Sequence, residues 1–471
     1  MFLEPTRYWP SAETTWLLAA ALHPDPQAAR AAWRAWDDPG RFDATNWAQL
    51  RVFPIVARRL PELGLDSPLL PRLIGVRRFL WTKSRILHRS VAPLLKLLLD
   101  AGIPLVLTKG AARIALDPAE ALERYSHDVD ALVPEAEWGR AASLLMDAGM
   151  TPEKLTRAEV LNIRQRYHGV GLRLAEANID LHLHAMKRNR CVGDDDGLRA
   201  RSVPGVFAGL PVHVPGAEDR LVMAIGHGLL HSPGRPTDWA FDAAAALATP
   251  DFDWGLVERE VVRRGLSAFG VSALRYLRQE LAQPVPEAVI AALEADVTPV
   301  FAEELECLHH AFFARTARES VILCLADMER ARRAAALRPP APPSGTPSGA
   351  WETAETLLVG RRGEEAAALA VPGWVAPGDR VRLELRFEAP PPQRRERVQV
   401  ELSCFEAHPT LLHQQVATSS KGQWQAVFHL PGDFLALRQP AMLLARASHL
   451  TTGGRARGIA LTAGRGRWKR I

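Results

Sequence analysis

The chain of 471 residues is poor in cysteine and has no long apolar run. Its four cysteines are scattered and show neither metal-type spacing nor a disulfide framework, which is typical of reduced thiols in a cytoplasm. No segment approaches the roughly 18 apolar residues that a membrane-spanning helix needs. The first residues also lack the basic segment and apolar stretch of a signal peptide. We therefore expect a cytoplasmic protein without a membrane span.

Several common functional motifs are absent as well. The chain has no Walker-type phosphate loop, no glycine fingerprint for dinucleotides and no serine or cysteine nucleophile elbow. No recognition module for nucleic acid is present, so that partner is not indicated, although a net charge of +5 is compatible with a phosphate-rich ligand. The basic residues near the C-terminus, among them Arg465, Arg467 and Lys469, could contact nucleic acid or an anionic surface, but the preferred interpretation is a frayed, solvated end.

The most informative pattern lies in residues 103–131. An apolar run ends at Lys109 and Gly110, a helix-like segment follows, and Asp128 and Asp130 stand at the head of a second apolar run. Side chains two apart on a strand point the same way, with their Cα atoms roughly 6–7 Å apart. Two carboxylates aimed at one point repel each other unless a cation lies between them, and Mg²⁺ prefers such oxygen ligands. The pattern therefore predicts a site for a divalent metal.

A third carboxylate is predicted on a later strand. Residues 178–184 alternate between apolar and polar side chains, so they are predicted to form a strand on which Asp180, His182 and His184 share one face. A carboxylate on a neighbouring strand would complete a site for one or two metal ions, which can clamp both oxygens of an in-line phosphoryl displacement.

These residues resemble the polymerase-β-type nucleotidyltransferase superfamily, and most closely its bacterial branch of uncharacterised nucleotidyltransferases. The signature of that branch runs roughly leucine-lysine-glycine, then arginine, then aspartate-x-aspartate, and the resemblance covers about residues 10–330. It implies that Asp128 and Asp130 are ligands of Mg²⁺ (or Mn²⁺) and that all three aspartates are catalytic. Asp180 would be the carboxylate that helps to activate the acceptor hydroxyl.

The resemblance also implies a nucleotide-binding set, namely Lys109, Gly110 and Arg124. The superfamily usually has a small hydroxyl residue after this glycine, whereas Ala111 stands there in this chain. Lys109 could pair with phosphate oxygens or neutralise the aspartates. Arg124 could contact a nucleotide phosphate or form an internal salt bridge that holds its loop, and the residues alone leave both alternatives open.

Four further residues are candidates on the substrate side: His182, His184, His227 and Asp242. The two histidines of the predicted strand could form hydrogen bonds to substrate or fill a partly polar face. The adjacent pair His127 and Asp128 also raises the hypothesis of a metal-dependent phosphohydrolase. That chemistry places the pair on a helix, whereas a strand pattern follows here, so this hypothesis ranks lower.

The pattern along the chain predicts an α+β fold. We expect a helical N-terminal region (1–100), a small mixed-sheet nucleotidyltransferase core (101–216), a helical subdomain (217–337), a linker rich in proline, glycine and serine (338–350), and a C-terminal antiparallel β-sandwich (351–471). The sandwich is predicted from short alternating segments such as 380–387, which are separated by turn residues.

The leading functional hypothesis is a metal-dependent nucleotidyltransferase that transfers a nucleoside monophosphate from a nucleoside triphosphate to an acceptor hydroxyl and releases pyrophosphate. ATP is the default donor, and the acceptor could be a protein, a sugar, a small molecule or a nucleic acid. The alternative is a catalytically idle protein of the same fold that binds a nucleotide or a partner. The C-terminal domain resembles an interaction module for a protein or a carbohydrate.

Overall fold

The computed structural model describes residues 5–153, 155–161, 168–187, 193–231, 238–310, 322–323, 325–326, 329–330, 333, 351–353, 356–359, 366–372, 375, 380–387, 397–404, 411–420, 423–431, 442–450, 456–459 and 465–470. The chain divides into two compact units, one drawn from residues 1–326 and the other mainly from residues 327–471. The predicted linker, residues 338–350, lies outside the described residues, and the finer domain boundaries stay predictions.

The N-terminal region is helical, as predicted. Its helices start where side chains cap the backbone: Asp25 accepts a hydrogen bond from the N–H of Gln27, and Asn46 and Gln49 form a capping box. The helices are α1 (Ala12–Leu22), α2 (Pro26–Trp36), α3 (Pro39–Asp43), α4 (Trp47–Leu50), α5 (Phe53–Glu62) and α6 (Leu70–Asp100).

A mixed sheet of seven strands follows, in the order β3-β4-β5-β2-β1-β7-β6. Its strands are β1 (Val106–Leu107), β2 (Val129–Leu132), β3 (Thr151–Pro152), β4 (Gly169–Leu174), β5 (Ala177–His182), β6 (Val203–Phe207) and β7 (Leu210–Val214). Strands β2 and β5 are parallel, and Asp130 lies opposite Asp180 in their register. Strand β1 is antiparallel to β2 and parallel to β7. This pairing brings two of the predicted catalytic carboxylates to neighbouring strands.

Helices cover and follow the sheet. Those between the strands are α7 (Lys109–Leu116), α8 (Trp138–Asp147), α9 (Arg157–Leu161) and α10 (Asp196–Ala200). Those after the sheet are α11 (Ala217–His231), α12 (Asp238–Leu247), α13 (Trp254–Arg263), α14 (Ser267–Gln279), α15 (Glu287–Asp296) and α16 (Pro299–His310). One hydrophobic cluster joins all three parts of this unit, with Trp36 from α2, Leu132 from β2 and Phe269 from α14 fully or almost fully buried in it. No helix among the described residues combines the length and the apolar composition that crossing a bilayer requires.

The second unit consists of antiparallel strands in two sheets. They are β8 (Trp351–Thr353), β9 (Thr356–Val359), β10 (Ala366–Ala370), β11 (Arg380–Phe387), β12 (Arg397–Cys404), β13 (Leu411–Val416), β14 (Thr418–Ser420), β15 (Gln423–Pro431), β16 (Met442–Leu450), β17 (Ala456–Ile459) and β18 (Arg465–Arg470). One sheet runs β13-β12-β16-β10-β9, with β17 beside β16, and the other runs β14-β15-β11-β18-β8. Both sheets contribute to one hydrophobic cluster, for example Val400 from the first and Phe428 from the second. The predicted α+β class with a C-terminal antiparallel part is confirmed.

The prediction of a frayed C-terminal end is wrong. Residues 465–470 form β18, which pairs with β11 on one side and β8 on the other. Trp468 is fully buried in the core of this unit, and the buried carboxylate of Glu384 accepts a 2.8 Å hydrogen bond from Arg467. Apolar burial and an ion pair thus hold a segment whose charge alone had indicated solvation.

Candidate active site

Three elements converge at the candidate site. Strand β1 leads into α7, whose first residue, Lys109, has the left-handed backbone torsion φ 52°. A side chain with a Cβ rarely adopts this conformation, and where it does the cost is commonly connected with function. The ammonium group of Lys109 donates a hydrogen bond to the carboxylate of Asp130 on β2. Local strain and a strong ion pair therefore occur at the same residue.

The three predicted carboxylates meet. One oxygen from each of Asp128, Asp130 and Asp180 lies within 4.8 Å of the other two. Asp128 directly precedes β2, Asp130 is its second residue, and Asp180 lies opposite it on β5. The register of two parallel strands thus brings together carboxylates that are 50 residues apart in the sequence.

Two cationic side chains contact this acidic triad, by which we mean Asp128, Asp130 and Asp180. Lys109 bonds to Asp130, and the ring of His182 lies between two carboxylates, with its Nε2 atom 2.9 Å from Asp130 and 3.1 Å from Asp180. Although burial opposes it, the two aspartates raise the pKa of His182 to about 9, so the imidazole carries a charge at neutral pH. His182 and Asp180 share one strand face, as predicted.

The three carboxylates have different pKa values because their neighbours differ. Burial and the negative charge of Asp130 raise the pKa of Asp128. Burial acts in the same direction on Asp130, but Lys109 and His182 outweigh it and hold the pKa of Asp130 well below its usual value. For Asp180 burial is outweighed by His182, which lowers the pKa. Asp128 therefore feels repulsion that an added cation would relieve.

The chemistry of the triad fits a hard divalent cation. All the ligand atoms are carboxylate oxygens, which Mg²⁺ and Mn²⁺ prefer over softer donors. The positive charges of Lys109 and His182 do not fully balance the negative charges of the three carboxylates. A second group of potential ligands, His168, Asp180 and His182, shares Asp180 with the acidic triad but contains two imidazoles, a softer donor set.

A cleft of about 480 Å³ adjoins the triad, a size typical of small-molecule sites. Both Asp128 and Asp180 line it. Six cationic side chains also line it: Arg51, Lys109, Arg113, Arg124, Lys187 and Arg220. Carboxylates beside a concentration of lysine and arginine suit a ligand that carries phosphate groups and a metal ion together.

Arg124 forms an internal salt bridge, one of the two alternatives that the sequence left open. Its Nε atom donates a 2.9 Å hydrogen bond to Oδ1 of Asp242 on α12, and its Nη2 atom donates a bond of the same length to Oδ2. Arg113 on α7 donates to the same carboxylate at 3.1 Å. Despite burial, these two arginines lower the pKa of Asp242. Asp242 thus fixes two guanidinium groups that line the cleft.

Gly110 packs closely against two side chains. A Cβ atom on this residue would stand 2.9 Å from Oγ of Ser126 and 3.3 Å from Cζ of Arg124. The next residue, Ala111, is 2% exposed, and so is Thr108 on the other side of Lys109. The residue after the glycine is thus a buried alanine without a hydroxyl, and the hydroxyl-bearing Thr108 is buried as well.

The predicted strand 178–184 is two residues too long. Strand β5 ends at His182, because the N–H groups of Leu183 and His184 both donate to the carbonyl of His168, at 2.8 and 2.9 Å, which breaks the alternation of a strand. His184 is consequently buried near Asp195, whose pKa is held low, against the effect of burial, by Arg264 and His184. His184 does not continue the face formed by Asp180 and His182.

The remaining histidine candidates lie in different settings. His227 on α11 lines the cleft and forms a 2.8 Å hydrogen bond with the carbonyl of Ala185. Burial, followed by the charge of Lys109, lowers the pKa of His227 to about 3, so this imidazole is neutral. His127 lies 3.2 Å from Asp128 in a turn before β2 and not on a helix. The helical arrangement expected of the phosphohydrolase alternative is therefore absent from this pair.

Sequence reasoning missed four of the cleft's cationic residues: Arg51, Arg113, Lys187 and Arg220. Arg113 carried a signal, since it lies four residues after Lys109 and so on the same face of α7. Arg220 and His227 are likewise seven residues apart on α11, which places them on one face. Arg51 comes from the distant N-terminal helices and had no such signal.

Comparisons with known proteins give one family. The family described as "Uncharacterised nucleotidyltransferase" matches residues 44–282, which is just over half of the chain. No curated protein matches the chain. Among solved structures, the solution structure of the antibiotic-resistance factor ANT(2'')-Ia is similar over 48% of this chain and 100% of that chain, with 13% identity and a TM-score of 0.26. A similarity this weak carries no argument.

Proposed function

The chain belongs to the uncharacterised nucleotidyltransferase family, and from this premise we propose that it moves a nucleoside monophosphate from a nucleoside triphosphate to an acceptor hydroxyl. The observation that carries the proposal is the acidic triad beside a cleft lined by six cationic side chains. This arrangement supports a metal-ion site next to a site for phosphates. Nucleotidyl transfer needs both, because positioning and charge neutralisation account for most of the catalysis in phosphoryl transfer.

Asp128, Asp130 and Asp180 would hold Mg²⁺ (or Mn²⁺), which supplies charge neutralisation on the triphosphate when bound. Lys109 adds a positive charge next to Asp130, to which its ammonium group donates a hydrogen bond. Despite burial, the neighbouring aspartates, Asp130 foremost, raise the pKa of Lys109, so its charge persists over the physiological range. The ammonium group can therefore bind phosphate oxygens at the entrance to the triad.

Asp180 would orient the acceptor. Its carboxylate lines the cleft, keeps about a quarter of its surface exposed and lies 3.1 Å from the charged ring of His182. In the proposed step, Asp180 accepts the hydrogen bond and then the proton of the acceptor hydroxyl. The acceptor oxygen bonds to the α-phosphorus, the bond from that phosphorus to the β-phosphate breaks, and pyrophosphate leaves. His182 keeps Asp180 in its ionised form, because its positive charge lowers the pKa of that carboxyl against the effect of burial.

ATP is the proposed donor because of its abundance in the cytoplasm, where we place the enzyme. A protein, a sugar or a small molecule is the proposed acceptor class. The test uses purified protein, each α-labelled nucleoside triphosphate in turn, Mg²⁺ and a cell lysate as the source of acceptors. We expect label to move to an acceptor with one nucleotide and with the wild type only. Asp130→Asn, which removes one charge of the triad at constant size, should abolish the transfer. The proposal fails if no nucleotide transfers label, or if Asp130→Asn transfers as well as the wild type.

A catalytically idle nucleotide-binding protein is the second candidate, and Ala111 is the observation that favours it. The residue is buried and offers no hydroxyl where the family resemblance leads one to expect a phosphate contact. Isothermal titration with Mg²⁺ and ATP separates both candidates from a protein that binds no nucleotide, and transfer of label then separates the enzyme from the idle protein. Binding by the wild type without transfer of label or release of pyrophosphate, across several acceptors, would support the idle protein.

A further inference from the structure

One arginine of the cleft differs from the others in its partners. Arg51 forms an ion pair with Asp238, and both Arg113 and Arg124 form ion pairs with Asp242. No carboxylate among the described residues forms an ion pair with Arg220. Its Nη2 atom donates a 3.2 Å hydrogen bond to the hydroxyl of Thr249, and its Nε atom is buried without an acceptor in the described part of the chain.

This guanidinium group is in an unfavourable environment. Arg220 lines the cleft from α11 and lies close enough to Arg113 to feel its charge. Burial, followed by the charge of Arg113, lowers the pKa of Arg220, while Asp242 and Glu218 act in the opposite direction only from a distance. A partly buried cation without a direct anionic partner is costly, and an anion bound next to it would remove that cost.

The position of Arg220 separates it from the acidic triad. Arg220 and His227 lie on one face of α11, seven residues apart, which corresponds to about 10 Å along a helix. The pKa of His227 is lowered by burial and then by Lys109, so His227 marks the end of the cleft near Lys109 and the triad. Arg220 lies about two turns from His227 toward the start of α11, where Arg113 is the neighbouring cation that acts on it most strongly.

We propose that Arg220, assisted by Arg113, binds an oxyanion of the ligand in the part of the cleft beside the start of α11. A planar guanidinium group suits a phosphate or carboxylate through paired hydrogen bonds. The oxyanion has two sources: the triphosphate of the donor, or a phosphate or carboxylate on the acceptor. The assignment of these sources rests on the proposed function, whereas the binding of an oxyanion does not.

The test compares the full-length wild type with Arg220→Gln and Arg220→Lys. The probes are inorganic phosphate and inorganic tripolyphosphate with Mg²⁺, measured by isothermal titration and by the shift in unfolding temperature. We expect Arg220→Gln to weaken the binding of the relevant probe by about tenfold to a hundredfold, as for a lost charge-assisted hydrogen bond, and Arg220→Lys to recover part of it. The matched control is Arg259→Gln on α13, where the side chain is 67% exposed. This variant should bind phosphate and tripolyphosphate as the wild type does.

The two probes distinguish the sources. If the donor supplies the oxyanion, Arg220→Gln weakens tripolyphosphate binding. Saturating Mg²⁺ and ATP then abolish the rise in unfolding temperature that phosphate causes in the wild type. If the acceptor supplies it, tripolyphosphate binding is unchanged, and phosphate still stabilises the wild type in the presence of ATP. If Arg220→Gln binds both probes within twofold of the wild type, the proposal is overturned.

The unfolding temperature of Arg220→Gln without ligand tests whether Arg220 has a purely structural role. Removing a cation that has no direct anionic partner should leave this temperature unchanged or raise it. A lower temperature together with unchanged affinity would show that Arg220 serves the fold instead. Because no probe requires catalysis, a failure of label transfer would refute the proposed function and leave this inference standing.

Discussion

Replacing Asp242 by asparagine should strongly destabilise the first unit. The carboxylate of Asp242 on α12 accepts two 2.9 Å hydrogen bonds from Arg124 and one of 3.1 Å from Arg113. The two arginines are only 5% and 7% exposed, so neither can turn into solvent without rearranging its surroundings. In Asp242→Asn both guanidinium groups stay buried and lose one charged partner, while Arg113 keeps its ion pair with Glu120 and Arg124 keeps its ion pair with Asp238.

The expected loss follows from that geometry. Removing one partner of a buried ion pair commonly costs about 3–5 kcal/mol, because an uncompensated charge remains. Asparagine still offers one oxygen as an acceptor, and Asp238 lies 3.3 Å from Nη1 of Arg124. We therefore expect the lower part of this range, a decrease of about 3 kcal/mol in the free energy of unfolding.

Urea denaturation at neutral pH measures this quantity directly. The control is Asp100→Asn: Asp100 pairs with Lys96 on the surface of α6 and is 63% exposed, so its loss should cost less than about 0.5 kcal/mol. The coupling to Arg124 is tested with Arg124→Gln in a double-mutant cycle, where a shared pair should give strong non-additivity. A loss below about 1 kcal/mol for Asp242→Asn would refute the argument that this carboxylate holds the two arginines.

Four further predictions follow. Burial lowers the pKa of His88 to about 4 in the folded protein, below its usual 6.5, so the stabilisation tied to its neutral form should be present above pH 6.5. It should be lost as the pH falls toward 4, by up to about 3 kcal/mol; urea titrations that show the same pH dependence for His88→Leu would contradict this. Gly110→Ala should lower the free energy of unfolding by about 1–3 kcal/mol, since its Cβ would meet Ser126 and Arg124, and an unchanged urea midpoint would be inconsistent with that packing. Asp180→Asn should weaken Mg²⁺ binding by more than about tenfold in isothermal titration, whereas Asp147→Asn, at a 64% exposed side chain, should not. Residues 1–337 alone should retain a cooperative thermal transition, because the two units have separate hydrophobic clusters; a non-cooperative melt would disprove their independence.

Two members of the acidic triad were predictable from short-range rules, and the third came from the resemblance. Strand periodicity places Asp128 and Asp130 on one side of their strand, and the resemblance added Asp180 from a later strand. The α+β class and the strand Arg380–Phe387 were predicted from the same kind of periodicity, with four of its apolar residues now found buried. Patterns of this type depend on neighbours in the sequence.

The features that the sequence did not predict depend on contacts between distant parts of the chain. Arg124 and Asp242 are 118 residues apart, and no local pattern indicates that they pair. The end of β5 is set by the carbonyl of His168, which accepts hydrogen bonds from the N–H groups of both Leu183 and His184. In a longer strand these two groups would follow the alternating pattern of the sheet. The C-terminal strand was misjudged because its charge was visible in the sequence, whereas the burial of Trp468 was not.

The most direct test of the central claim is an anomalous difference map from a crystal soaked with Mn²⁺. The account predicts a peak among the carboxylates of Asp128, Asp130 and Asp180, about 2 Å from their oxygens. It also predicts that the same peak is lost in Asp130→Asn. A wild-type crystal that binds Mn²⁺ elsewhere, with no peak at these three carboxylates, would contradict it.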